Sequence, residues 1–80
     1  MNTYKIISVE IKAGSSFAKG WSSPMQEIET DKGIFIDNMP GRGSSYHWIG
    51  HNWKNEVGNT VKANEVTNSG YKWLEFKQRI

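Results

Sequence analysis

Residues Tyr4 to Lys12 alternate, with Ile7, Val9 and Ile11 on one side and Ser8, Glu10 and Lys12 on the other. A period of two marks a strand with one buried face, so this stretch is predicted as β. Ala13-Gly14-Ser15-Ser16 breaks it. The Ser- and Gly-rich stretch from Phe17 to Pro24 reads as a loop carrying Phe17, Lys19 and Trp21. An extended pattern resumes from Met25 to Thr30, with Ile28 inward. Asp31-Lys32-Gly33 has the chemistry of a short hairpin turn, with Gly33 supplying a positive φ. Ile34 to Asp37 is the return strand, with Ile34 and Ile36 on one face and Phe35 on the other.

After the turn-rich segment Met39 to Ser45 the period changes. Tyr46, Ile49, Trp53 and Val57 fall at helical spacing, although Gly50 weakens that pattern by about 1 kcal/mol relative to Ala. Asn52 is placed to cap a short helix from Trp53 to Val57, and Gly58 suits its C-terminal end. Thr60 to Val66 is expected as a fourth strand, Asn68-Ser69-Gly70 as a turn, and Tyr71 to Lys77 as the last strand. In that strand Leu74 and Phe76 share one face, and Tyr71 and Trp73 the other.

Five short strands, with a helix between the third and fourth, form the order of an oligonucleotide/oligosaccharide-binding (OB) barrel. Lys5-Ile6-Ile7-Ser8-Val9-Glu10 followed by Glu29-Thr30-Asp31-Lys32-Gly33 resembles the first hairpin region of small OB-fold proteins. Val57-Gly58-Asn59-Thr60-Val61-Lys62-Ala63 resembles the entry to their fourth strand, and Tyr71-Lys72-Trp73-Leu74 their closing strand. The resemblance implies a mostly β fold over residues 1–80, one small five-stranded antiparallel barrel. An SH3-like barrel gives a similar string of strands and stays open as the alternative.

Composition agrees with the β reading. Ile occurs eight times and Val four, against a single Leu, and β-branched residues favour strands. The absence of Cys removes disulfides, thiolate metal sites and cysteine nucleophiles. No run of apolar residues is long enough to span a membrane as a helix, and Met1-Asn2-Thr3-Tyr4-Lys5 lacks the order of a signal peptide. A cytoplasmic domain is expected, a monomer or weak homodimer, with no cofactor. Small size also suits an inhibitor or accessory factor of the kind that phages and mobile elements encode.

The net charge of +2 is mild, but its distribution is uneven. From Asn38 to Asn55 there is no acid, and the window holds Arg42, Tyr46, His47, Trp48, His51, Trp53 and Lys54. Four Trp in 80 residues exceed what so small a core requires. Aromatic faces stack on unpaired bases, worth about 1–3 kcal/mol per base, and cations track the phosphates. The OB resemblance places the first long loop and the last hairpin beside the binding face. Lys19, Trp21, Arg42, Tyr46, Trp48, Lys54 and Tyr71 are therefore the expected residues of a single-stranded nucleic-acid site, with Lys62 and Lys72 as further cations. Core packing is the competing role for Trp53 and Trp73.

Glu27, Glu29 and Asp31 alternate along one strand and would form a negative ridge. A nucleic acid would avoid that side and a basic protein partner would suit it, so a protein-interaction module is the second function carried forward. A binder of a small nucleotide or sugar is the third. His47 and His51 have an i, i+4 spacing, yet no Glu completes HExxH and no further ligand is evident, so no metal site is assigned. No nucleophile motif or shielded carboxylate pair appears, and no catalytic residue is assigned.

Overall fold

The computed structural model describes residues 1–41 and 49–80. The strands are β1 (Asn2–Lys12), β2 (Met25–Thr30), β3 (Gly33–Asn38), β4 (Thr60–Asn68) and β5 (Tyr71–Arg79). They close into a barrel in the order β1-β2-β3-β5-β4. β1 serves two neighbours. Its first half pairs with β4, from Asn2 opposite Ala63 to Lys5 opposite Thr60. Its second half pairs with β2, from Ser8 opposite Glu29 to Lys12 opposite Met25.

The change of neighbour occurs at a β-bulge at Ile7, between the pairs made by Ile6 and Ser8. A bulge adds a residue to one strand and bends it. It also switches which side chains point inward. Tyr4 and Ile6 are buried, Ile7 is exposed, and Val9 packs against the core. The expected inward set Ile7, Val9 and Ile11 is thus corrected by one inserted residue, which simple alternation cannot show.

Two other expectations change. The barrel is not wholly antiparallel, because β5 runs parallel to β3, with Ile36 opposite Trp73. The cause is topological. The β4–β5 hairpin enters the barrel as a unit, and β5 becomes the neighbour of β3. The helix from Trp53 to Val57 is a single 3₁₀ turn, Trp53–Glu56, and the Asn52 side chain does not cap it. Side chains hold this turn instead. The Trp53 amide donates to Gln26 Oε1 at 3.2 Å and its indole Nε1–H to Asp37 Oδ2 at 2.6 Å. Trp53 is thereby drawn into the barrel and the segment has no length left for a helix.

The interior is built from Tyr4, Ile6, Ile28, Phe35, Trp53, Val61, Ala63 and Leu74. Tyr4 meets Phe35 edge-on at 5.3 Å, a favoured aromatic geometry. The Asp31-Lys32-Gly33 turn forms as expected, with Gly33 at φ +123°. The Thr30 hydroxyl stitches it, accepting from the Lys32 amide at 3.0 Å and donating to the Gly33 carbonyl at 2.8 Å. Among the described residues no helix is long and apolar enough to cross a membrane.

Candidate nucleic-acid interface

A second apolar layer lies outside the barrel. Ile36 of β3 and Trp73 of β5 alternate with the inward Phe35 and Leu74, so they face outward, yet both are buried. The segment between β1 and β2 covers them. Phe17 and Trp21 pack there with Met25, Val66 and Tyr71. The Trp21 ring lies 5.4 Å from Tyr71 and 5.9 Å from Trp73, and Phe17 meets Tyr71 edge-on at 6.3 Å. The Tyr71 hydroxyl donates to the Phe17 carbonyl, and Trp73 Nε1–H donates to the Asn68 carbonyl at 3.1 Å. The first of these bonds ties the first loop to the β4–β5 hairpin across more than fifty residues of sequence, and the second closes the hairpin on itself.

The loop is also closed on itself. Phe17 and Ala18 donate to the Gly14 carbonyl at 3.0 and 3.2 Å, and Trp21 to Ala18 at 3.1 Å. Gly14 is buried, and a Cβ there would sit 2.3 Å from the Ser23 carbonyl oxygen. Only glycine fits that approach.

Residues 13–26 and 66–74 contain no acid, and they carry Lys19 and Lys72, both exposed. Trp21 and Tyr71 are brought together, and Lys19 is exposed on the same loop as Trp21. The aromatic rings differ from free platforms in one respect: Trp21 and Tyr71 are half-buried against each other. Lys54 is exposed but lies elsewhere. It sits on the Trp53–Glu56 turn, which leads into the start of β4, whereas the aromatic cluster lies at the end of β4 and the start of β5. Arg42, Tyr46 and Trp48 lie outside the described residues, as does His47.

The three acids do not stand alike. Glu27 pairs with Lys12 Nζ at 3.1 Å, which raises the Lys12 pKa. Glu29 accepts from the Ser8 hydroxyl at 3.0 Å. Asp31 leaves the strand and accepts the Lys5 amide at 2.9 Å, fixing the hairpin to β1.

A buried polar network, unmarked by any motif, lies on the other side of Trp53. Gln26 Nε2 donates to the carbonyls of Asn38 and His51, at 2.9 and 2.6 Å. Asp37 accepts the amides of Asn38 at 2.8 Å and His51 at 3.1 Å, as well as the Trp53 indole. Glu56 is fully buried. It receives Arg79 Nε and Nη2, each at 2.7 Å, and pairs with His51 Nε2 at 2.8 Å. The Arg79 hydrogen bond, with help from His51 and Asn59, holds the Glu56 carboxyl down at about 2 despite its burial. The His51 ring stacks on Phe76 at 3.7 Å. A cavity of about 220 Å³ opens beside this stack, lined by Asp37, Ile49, Gly50, His51, Glu75 and Phe76. The available signal was polar residues at inward strand positions: Gln26 precedes Ile28 by two, and Asp37 follows Phe35 by two. Among the described residues no group of three or more His, Asp or Glu is placed to hold a metal ion.

Comparison of the chain with protein-family models, with curated proteins and with solved structures finds no match.

Proposed function

We propose that this barrel is a non-catalytic OB-type module that binds single-stranded nucleic acid at the pole formed by the first loop and the β4–β5 hairpin. The carrying observation is the packing of Trp21 against Tyr71 where two acid-free segments meet, segments that also carry the exposed Lys19 and Lys72. The strand order supports the OB reading over the SH3-like one. Insertion of β5 between β3 and β4 is a Greek-key order, which is that of OB barrels. The exposed edges of the half-buried rings supply stacking surface, and the two lysines supply phosphate contacts. An unpaired strand is the fitting form, because its bases can turn toward aromatic side chains.

The test is anisotropy titration of a labelled mixed-sequence single strand at low and at physiological salt. The wild-type protein is expected to bind more weakly as salt rises. Lys19→Glu combined with Lys72→Glu should weaken binding and flatten the logarithmic salt slope by about 1.4, two contacts at about 0.7 each. Both residues are exposed, so folding should be unchanged. Wild-type affinity retained by the double variant, or no binding at low salt, would overturn the reading.

A further inference from the structure

A different face of the barrel carries exposed aliphatic side chains on neighbouring elements. On the outer side of β3, Ile34 is 58% exposed, although Ile36, two residues on, is covered by the first loop. Ile34 lies opposite Glu29 of β2, and Glu29 opposite Ser8 of β1. Beside Ser8 the bulge turns Ile7 outward, 49% exposed. Next to β1 at that level runs the segment leading into β4. The Gly58 amide donates to the Ile6 carbonyl at 2.8 Å, and the preceding Val57 is 47% exposed. Val57, Ile7 and Ile34 thus form a band across three elements.

Charge identifies what fits the band. Glu29 sits between Ile7 and Ile34 and is exposed, with the Ser8 hydroxyl as its partner and no cation on it among the described residues. Glu10 lies one row away, opposite Glu27. Of the nearby cations, Lys12 is engaged by Glu27 at 3.1 Å, and Lys32 is directed to the Thr3 carbonyl over the Tyr4 ring. Lys5 is exposed at the hairpin end. A phosphate chain at the band's centre would meet carboxylate, whereas a Lys or Arg side chain would meet a carboxylate bonded to a hydroxyl and to no cation among the described residues.

Strand pairing is closed to a ligand here, because β2 has β1 on one side and β3 on the other. The partner must dock through side chains. β1 and β3 are two strand spacings apart, about 10 Å. Residues seven apart on an α-helix are also separated by about 10 Å along its axis. We infer that the Val57–Ile7–Ile34 band, with Glu29 at its centre, is a docking surface for a basic amphipathic helix of a partner protein. Aliphatic residues at i and i+7 would cover Ile7 and Ile34, and a Lys or Arg between them would meet Glu29.

The probe is a synthetic helical peptide of about 15 residues with Leu at i and i+7 and Lys at i+3 and i+4. A scrambled peptide of the same composition is the control. Binding is followed by amide and methyl shifts of the labelled protein. The expected result is saturable binding with shifts at Ile7, Glu29 and Ile34. Glu29→Lys and Ile34→Ser should each weaken it roughly tenfold, while Lys19→Glu with Lys72→Glu leaves it unchanged. Both substituted side chains are exposed, and a retained amide spectrum shows that the variants fold. Equal binding of the scrambled peptide, or wild-type affinity in both variants, would overturn the inference. So would displacement of the peptide by a single-stranded oligonucleotide, which would give the band to nucleic acid. Self-association of the free protein that Ile34→Ser abolishes would give it to a second copy, and would equally overturn it.

Discussion

Glu56 has no accessible surface, yet it remains a carboxylate because Arg79 meets both of its oxygens and His51 bonds one of them. Its pKa falls from an ordinary 4.5 to about 2, mainly through the Arg79 hydrogen bond. A depressed carboxyl pKa stabilises the fold fully above the unfolded value, and that stability is lost as pH falls from about 4.5 toward 2. The contribution is about 2 kcal/mol, less than the full shift because the Arg79 side chain is half exposed and partly screened. The melting temperature should therefore drop between pH 6 and pH 3, on the order of several degrees for a domain of this size. Glu56→Gln should be less stable at neutral pH and flatter across that interval. An identical acid drop in Glu56→Gln would assign the effect to other carboxylates. Arg79→Met should cost more than Glu56→Gln, because it leaves the buried carboxylate without its cation.

The segment between β1 and β2 is the element that most changes the picture of a bare barrel. It buries Trp73 and Ile36 on what would otherwise be an open outer face. Gly14→Ala should displace this segment, since the new methyl group meets backbone oxygen rather than a movable side chain. Near-ultraviolet circular dichroism of the aromatic cluster should fall while the far-ultraviolet strand signal stays. An unchanged aromatic signal would mean that the loop accommodates a Cβ after all. Trp21→Ala should leave the barrel folded but cost about 1–3 kcal/mol, as expected for a half-buried large ring.

Much of this was legible in the chain. The alternation of Ile34, Phe35 and Ile36 and of Trp73 and Leu74 gave the faces of β3 and β5, and Asp31-Lys32-Gly33 gave the turn between β2 and β3. Two features were not. The bulge at Ile7 leaves the apolar alternation of β1 looking regular, because an isoleucine occupies the extra position. The 3₁₀ turn is fixed by Asp37 and Gln26, more than ten residues distant, so local helical spacing could not reveal it. At the site, the meeting of Trp21 with Tyr71 followed from fold resemblance, whereas their mutual burial depends on the path of the loop.

For the molecule as a whole, closure rests unevenly on its ladders. β4 and β5 pair along almost their full length, whereas β3 meets β5 at one register position, Ile36 with Trp73. Opening should begin at that parallel seam. Native-state hydrogen exchange is expected to show the β5 amides facing β3 exchanging before those facing β4. Uniform protection along β5 would contradict this. The interior tryptophans also have a consequence for observing the protein. Trp53 donates its indole proton to a carboxylate, Trp73 donates to a peptide carbonyl, and Trp21 makes no such bond among the described residues. Of the four indole resonances in a ¹H–¹⁵N spectrum, those of Trp53, Trp73 and Trp21 should therefore stand apart, each marking one region: the barrel interior, the outer layer and the loop pole. A ligand at the pole would move the Trp21 signal and leave Trp53 in place, so the molecule carries its own internal markers for telling occupancy from unfolding.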